Sequence, residues 1–425
     1  MRVFFSAGEA SGDAYGAEIA KALESAGAFS TQNLAEDLVQ ELNGSIRDIA
    51  NSYHGSRVRS LVSDQYLDQE TLLRALVADI DSGDIDVERL RRETLSCLGG
   101  KKLKAAGVGL TFDSSDWGAV GIMESVFVSP RVIEGFFTAR SLIRSVGRGL
   151  FIPIDYGYIN VKLAREAKKN GWKVLYFVPP GSWRKTKQGK DLPAVTDVIV
   201  TPFSWSAEIL NSMGADARFF GHPLKEMVAN HAYAGQRDGL AILPGSRLHE
   251  VARNMGVIAA SVRGLDLNLK FAVAANLDVG QVEREWENLG GPPAEFMTDT
   301  YEVLKSSKAG IVCSGTATLE AALCGCPMVV VYRVSAMTAM EFIVRRPKFD
   351  YISLPNILLD RSLVPELIQF DAKPETIRKH VESLISEGSD RANQLAGFEE
   401  LNEILGPSNC FEQTAELALE LSKSG

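Results

Sequence analysis

The stretch from Ala309 to Arg333, AGIVCSGTATLEAALCGCPMVVVYR, leaves this chain few folds to choose from. Ile311, Val312 and Cys313 form a short apolar run, followed by the turn and capping chemistry of Ser314, Gly315 and Thr316. Ala317 to Leu323 are good helix formers, and Gly325 and Pro327 stop the helix. Met328 to Tyr332 is apolar throughout, as a parallel strand covered on both faces is. Strand, turn, helix and strand in this order belong to an open α/β sheet, whose ligands meet the carboxyl ends of its strands. Backbone N–H groups at the turn suit an anion such as a diphosphate, and Glu320, about one helical turn further in, suits ribose hydroxyls. An ordinary capped βαβ unit has the same pattern, so the stretch fixes fold class before chemistry.

The same rhythm recurs along the chain. A strand at Val3-Phe4-Phe5 runs into the loop Ser6–Asp13 and a helix over Ala14–Ser25. Gly8 and Gly12 allow close approach of the backbone to a ligand, and Ser11 is a candidate cap. The spacing is not that of a dinucleotide fingerprint. Gly149 to Asn160 reads as a strand ending at Asp155, placed either as a general base or as the cap of a helix over Val161–Lys169. Val174 to Trp183 gives a strand and a Pro-Pro-Gly loop, and the basic segment Arg184–Lys190 reads as a mobile surface loop. Strands are expected at Asp197–Thr201 and Ala217–Gly221, then Gly221-His222-Pro223 as a hinge or a ligand contact. The second half restarts with a strand at Gly239–Leu243 and the turn Pro244-Gly245-Ser246-Arg247 before a helix near Glu250. This is diphosphate-clamp chemistry of N–H donors, a hydroxyl and a guanidinium. Further strands are expected at Lys270–Ala274 and Ala294–Met297; Tyr351–Asn356 ends a loop carrying Arg345, Arg346 and Lys348, and a polar helical tail begins at Pro374. The pattern predicts two doubly wound α/β halves facing a cleft, split at residues 222/223.

Two segments stand apart. Ala28–Leu95 is polar, with helices expected at Asn33–Tyr53, Asp68–Ile80 and Asp84–Leu95, and reads as an insertion in which His54 is a lone surface or packing residue. Ser129–Gly149 interleaves Val132, Phe136, Phe137, Ile143 and Val146 with Arg131, Arg140, Arg144 and Arg148. That is a core-facing amphipathic helix or a surface for anionic lipid. A net charge of −9 argues against nucleic acid as a partner. Cys97, Cys313, Cys324, Cys326 and Cys410 form no CxxC pair and fit buried thiols in a reducing cytoplasm. No transmembrane run or signal peptide is read in the sequence.

Taken jointly the motifs are specific. Ser6-Ala-Gly-Glu-Ala-Ser-Gly-Asp13, Ile154-Asp155, Gly221-His-Pro223, Leu243-Pro-Gly-Ser-Arg247, Ser314-Gly-Thr-Ala-Thr-Leu-Glu320, Val331-Tyr-Arg-Val-Ser335, Tyr351-Ile-Ser-Leu-Pro-Asn356 and Val364-Pro-Glu-Leu367 occur in this order. The chain thereby resembles the lipid-A-disaccharide synthase family over roughly Met1–Ala26 and Gly99–Gln369. The resemblance implies a GT-B fold and inverting transfer, without metal or cofactor, from UDP-2,3-diacylglucosamine to 2,3-diacylglucosamine 1-phosphate. It implies a cytoplasmic enzyme working at the inner face of the cytoplasmic membrane; contact with anionic lipid through residues 129–149 is a separate expectation from their interleaved Arg and Phe. Carried over by position, Asp155 is the base. Gly245, Ser246, Arg247, Gly315, Thr316, Thr318, Glu320 and Asn356 line the donor site in the C-terminal domain, 223–425. Gly8, Glu9, Ser11, Gly12 and Asp13 shape the acceptor side in the N-terminal domain, 1–222. The chain departs from the family in Tyr156-Gly-Tyr-Ile-Asn160, where Ala-Pro-Asp-Phe-Asn is usual, and in Pro179-Pro-Gly-Ser-Trp183-Arg-Lys-Thr, where Ser-Pro-Ser-Val-Trp-Ala-Trp is usual.

Three rival readings differ in chemistry. A divergent glycosyltransferase would use another UDP-sugar and acceptor. A UDP-sugar 2-epimerase would need acid/base carboxylates and histidines around the donor sugar, and only His222 and His249 are candidates. A non-catalytic nucleotide-sugar-binding protein would keep Arg247 and Glu320 without a working base.

Overall fold

The computed structural model describes residues 1–41, 46–53, 55–61, 68–115, 117, 122–145, 147–334 and 350–423. His54, Val146, Ser335, Arg345, Arg346 and Lys348 lie outside the described residues. The chain divides into two compact units, Met1–Phe220 with Asn409–Gly425, and Gly221–Ser408.

The first unit is built on seven parallel strands: β1 (Val3–Ala7), β2 (Leu95–Gly99), β3 (Gly109–Asp113), β4 (Leu150–Ile154), β5 (Lys173–Phe177), β6 (Val198–Thr201) and β7 (Ala217–Phe219). Their order is β3-β2-β1-β4-β5-β6-β7. The second unit has six parallel strands: β8 (Leu240–Leu243), β9 (Leu269–Ala272), β10 (Ala294–Met297), β11 (Ala309–Cys313), β12 (Met328–Tyr332) and β13 (Glu366–Ile368). Their order is β10-β9-β8-β11-β12-β13. In both sheets the strand order therefore reverses once, between β1 and β4 and between β8 and β11. At such a point the flanking helices diverge and leave a crevice at the strand ends. The strands nearest these reversals are buried at every position, which is why they read as continuous apolar runs.

The helices of 28–95 enclose a core of their own, including Leu34, Leu38, Ile49, Val58, Leu72, Leu76 and Ile80. Asp79, fully buried, accepts from the N–H groups of Arg57 and Val58, each at 2.9 Å, and so caps the short helix Ser56–Ser60. The Arg91 guanidinium grips the Glu24 carboxylate by two bonds of 2.6 Å, tying the insertion to the helix Ala10–Ser25.

The boundary expected at 222/223 differs from the structure mainly at the tail. The last helix, Cys410–Lys423, belongs to the first unit, not the second. Its Phe411 stacks on Phe177 at 6.1 Å and meets Tyr15 at 6.5 Å, so it covers apolar surface that β5 and the helix Ala10–Ser25 present. Amphipathic periodicity announces such a helix but does not say which surface it covers. All five cysteines are buried and free. No helix among the described residues is long and apolar enough to cross a membrane.

Candidate functional site

Asp155 stands at the carboxyl end of β4, beside the reversal of the first sheet. It and Tyr156 both take left-handed backbone conformations, φ 47° and 45°. Each such residue costs about 1–3 kcal/mol and persists only where its surroundings hold it. Here the Asp155 N–H donates to the Phe177 carbonyl at 3.1 Å, and the Asp155 carbonyl accepts from Tyr176 Oη at 2.7 Å and Asn160 Nδ2 at 3.0 Å. The Asn160 amide also donates to the carbonyls of Ser6 (3.1 Å) and Ile154 (3.0 Å), and its Oδ1 accepts from Ser6 Oγ at 2.6 Å. Fully buried Asn160 thus staples the end of β1 to the end of β4. Gly8 is required by the same geometry, since a Cβ there would collide with the Tyr156 ring.

Burial, with the Glu9 carboxylate second, pushes the Asp155 carboxyl up to about 7, opposed in part by a hydrogen bond from the Tyr156 N–H. A carboxylate of that basicity suits general-base work near neutral pH. As for the two readings of Asp155, the helix starts at Gly157 and its N-cap is Tyr156, so Asp155 is not the cap.

The other loop residues divide. Glu9 is the N-cap of the helix Ala10–Ser25, which places Ser11 inside the first turn and not at the cap. Asp13 is buried and accepts from the N–H groups of Gly100 (2.6 Å), Lys102 (2.8 Å) and Leu103 (3.3 Å), so its carboxylate caps the helix Lys101–Ala105. A Cβ on Gly12 would lie 3.3 Å from that of Ala7, so glycine lets the helix sit close to β1.

In the second unit the turn Gly245-Ser246-Arg247 follows β8 and the turn Ser314-Gly315-Thr316 follows β11, the neighbours at that reversal. Gly245 has φ 139° and Gly315 φ 142°, conformations that L side chains rarely adopt. Glu250, in the first turn of the helix Leu248–Val262, reaches back to the loop. Its Oε2 accepts from the Ser246 N–H at 3.0 Å and its Oε1 from Arg247 Nη1 at 2.9 Å. Asn254, 1% exposed, bridges three strand ends: Nδ2 donates to the Pro244 carbonyl (2.8 Å) and to Cys313 Sγ (3.4 Å), and Oδ1 accepts from the Arg333 N–H (3.2 Å).

Glu320 is half-buried and accepts from Tyr301 Oη at 3.1 Å. Thr316 is half-buried at the start of the helix Thr316–Leu323. Thr318 and Asn356 are instead used within the protein. Thr318 Oγ1 donates to the Gly315 carbonyl (2.8 Å) and accepts from the Leu354 N–H (3.2 Å). Asn356 donates to the Val364 carbonyl and Glu366 Oε1, both at 2.9 Å, and accepts from the Leu363 and Val364 N–H groups at 2.8 and 2.9 Å. Both its amide hydrogens and its carbonyl oxygen are thereby engaged, so it builds the wall and presents no amide to a ligand. Glu366 completes that wall, accepting from the Ile352 and Ser353 N–H groups, each at 2.9 Å. His222, buried, caps the helix Pro223–Ala229 by accepting from the Leu224 N–H at 3.2 Å; burial pushes it down to about 3, so it is neutral and structural.

A model of the family described as lipid-A-disaccharide synthetase matches residues 75–420, a span that includes Asp155, Arg247 and Glu320 but not Ser6–Asp13. A lipid-A-disaccharide synthase of Geobacter sulfurreducens is 31% identical over 370 residues, covering 81% of this chain and 96% of that protein. One from Syntrophus aciditrophicus is 31% identical over 346 residues, covering 77% and 89%. Among solved structures, a Staphylococcus aureus MnaA–UDP co-structure is similar with a TM-score of 0.51 and 12% identity, covering 99% of this chain and 98% of that one. That likeness concerns the fold alone, which is GT-B, as expected from the sequence. With the family model spanning most of its length and relatives matched nearly end to end, the chain belongs to the lipid-A-disaccharide synthetase family of glycosyltransferases.

Proposed function

We propose that this chain joins UDP-2,3-diacylglucosamine to 2,3-diacylglucosamine 1-phosphate, with inversion, giving the disaccharide 1-phosphate and UDP. The observation that carries the reading is the placement of Asp155 at a strand end that the fold leaves for ligands, where burial pushes its carboxyl up to about 7. Asp155 takes the proton of the acceptor 6-hydroxyl as that oxygen bonds to the donor's anomeric carbon. The bond from that carbon to the diphosphate breaks, and UDP leaves with the electron pair. In this reading Arg247 and the N–H groups of the Gly245–Arg247 and Gly315–Thr316 turns stabilise the departing diphosphate. Glu320 holds the ribose, while Thr318 and Asn356 act by shaping the loops around it. The first unit serves the acceptor, with Gly8, Glu9, Ser11 and Gly12 near the base, and the second serves the donor. Incubation with both substrates, followed by mass spectrometry of the lipid product, tests the reaction. Disaccharide 1-phosphate from the parent and none from Asp155→Asn supports it, whereas UDP binding without product favours a binding protein or another acceptor.

We also propose peripheral contact with the inner face of the cytoplasmic membrane through the helix Ile122–Ser145. Ile133 and Phe137, four residues apart, are 52% and 55% exposed on it, a spacing that puts both on one face. Phe136 packs against the core, and Arg140 and Arg144 bond to Glu166 at 2.7 and 2.9 Å, so these are not the residues to test. Ile133→Ser with Phe137→Ser lowers sedimentation with anionic vesicles if the contact exists; unchanged sedimentation refutes it.

A further inference from the structure

We propose that the loops following β5 and β6 form the subsite for the 1-phosphate of the sugar acceptor, a deepening that rests on the reaction proposed above. In the sheet β5 and β6 are the first and second neighbours of β4 on one side, so their carboxyl ends stand about 5 and 10 Å from the end that carries Asp155. On an acceptor whose 6-hydroxyl meets Asp155, the 1-phosphate lies across the pyranose ring from that hydroxyl. A group that recognises the phosphate must stand about one sugar ring from the base, as these loops do.

Their chemistry fits an anion. Arg184, Lys185, Lys187 and Lys190 are all exposed on the loop after β5, in a chain whose net charge is −9. The Arg184 guanidinium lies 5.1 Å from the Trp183 ring centroid, and the Lys185 ammonium lies 5.5 Å from that of Trp205. The second contact joins the two loops, because Trp205 follows β6 and stacks on Phe203 at 4.5 Å. The helix Ser204–Ser212 starts in the same corner with no side-chain cap on its N-terminus.

Among the described residues, three buried polar atoms here have no hydrogen-bond partner: Trp205 Nε1, Ser206 Oγ and Gln188 Oε1. Ser206 is fully buried and Gln188 is 5% exposed. Buried polar atoms nearly always find partners, so three unpaired ones in the loop after β5 and the first turn of the helix after β6 call for an explanation. An indole N–H and a hydroxyl are donors for phosphate oxygens, and the amide oxygen is an acceptor for a sugar hydroxyl. This is also where the chain leaves the family's usual sequence, at Pro179–Thr186.

The test is steady-state kinetics with two acceptors, 2,3-diacylglucosamine 1-phosphate and the same sugar lacking the phosphate. The parent enzyme is compared with Arg184→Gln/Lys185→Gln and with Trp205→Phe, which keeps a ring and removes one donor. The double variant is expected to lose about 30-fold of the preference for the phosphorylated acceptor, through acceptor KM, while donor KM stays put. Trp205→Phe is expected to lose about fivefold. An equal loss on both acceptors assigns these residues to folding or to general attraction for the bilayer and overturns the subsite. Product formed by the parent with no preference for phosphate also overturns it, while leaving the reaction standing. No product from either acceptor ends both readings.

Discussion

The two sheet reversals share a topology and differ in what surrounds a carboxylate. Beside β4, Asp155 has Glu9 as its charged neighbour, and burial with that like charge pushes it up to about 7. Beside β8, Glu250 is 7% exposed but bonded to the Ser246 N–H and the Arg247 guanidinium. Desolvation beside a like charge makes Asp155 a better proton acceptor, whereas the bonds of Glu250 aim the Arg247 guanidinium and the Ser246 N–H. Each reversal is also closed by a buried asparagine, Asn160 in one unit and Asn254 in the other, bonded to strand ends far away in sequence.

Exchange of function at the first reversal gives the largest effect expected. Asp155→Asn lowers kcat about a thousandfold and leaves UDP affinity unchanged, as calorimetry with UDP can check. It also carries a stability signature. The folded carboxyl titrates above its ordinary value of 3.8, so its contribution to stability is full below that value and is lost as pH rises through about 7. Asp155→Asn is therefore expected to melt above the parent at pH 8, and a lower Tm there would contradict the burial argument.

At the second reversal Arg247→Ala lowers kcat/KM about a hundredfold and weakens UDP binding with it. Glu250→Ala sharpens the contrast. If Glu250 aims Arg247 and Ser246, UDP binds about tenfold more weakly in the variant. Tighter binding would make Glu250 a competitor of the diphosphate. The smallest functional change is expected at Asn356→Ala, which lowers stability by about 2–3 kcal/mol in denaturant titration yet moves UDP affinity by less than about twofold.

Much of this was legible in the sequence because glycine turns after apolar runs announce strand ends, as at Gly8, Gly245 and Gly315. The parallel order of the strands then brings those turns to the reversals. What was not legible is what each polar side chain bonds. The family resemblance implies site roles for Thr318, Asn356 and Asp13, but the partners they bond, Leu354, Glu366 and Gly100, are not marked by any motif in the sequence. Asn160 and Asn254 gave no signal for the same reason, since a helical asparagine looks alike whether it faces water or staples two strands. Nor does the amphipathic pattern of Cys410–Lys423 reveal that it covers Tyr15 and Phe177.

The most direct test of the contrast is the pH dependence of kcat/KM for the parent and for Glu9→Gln. The account predicts an acid limb with an apparent pKa near 7 in the parent, with activity lost as pH falls. Removing the Glu9 charge should move that limb to lower pH. A limb near the ordinary carboxylate value of 3.8, unmoved by Glu9→Gln, would contradict the assignment of Asp155 as a base tuned by burial and a like charge.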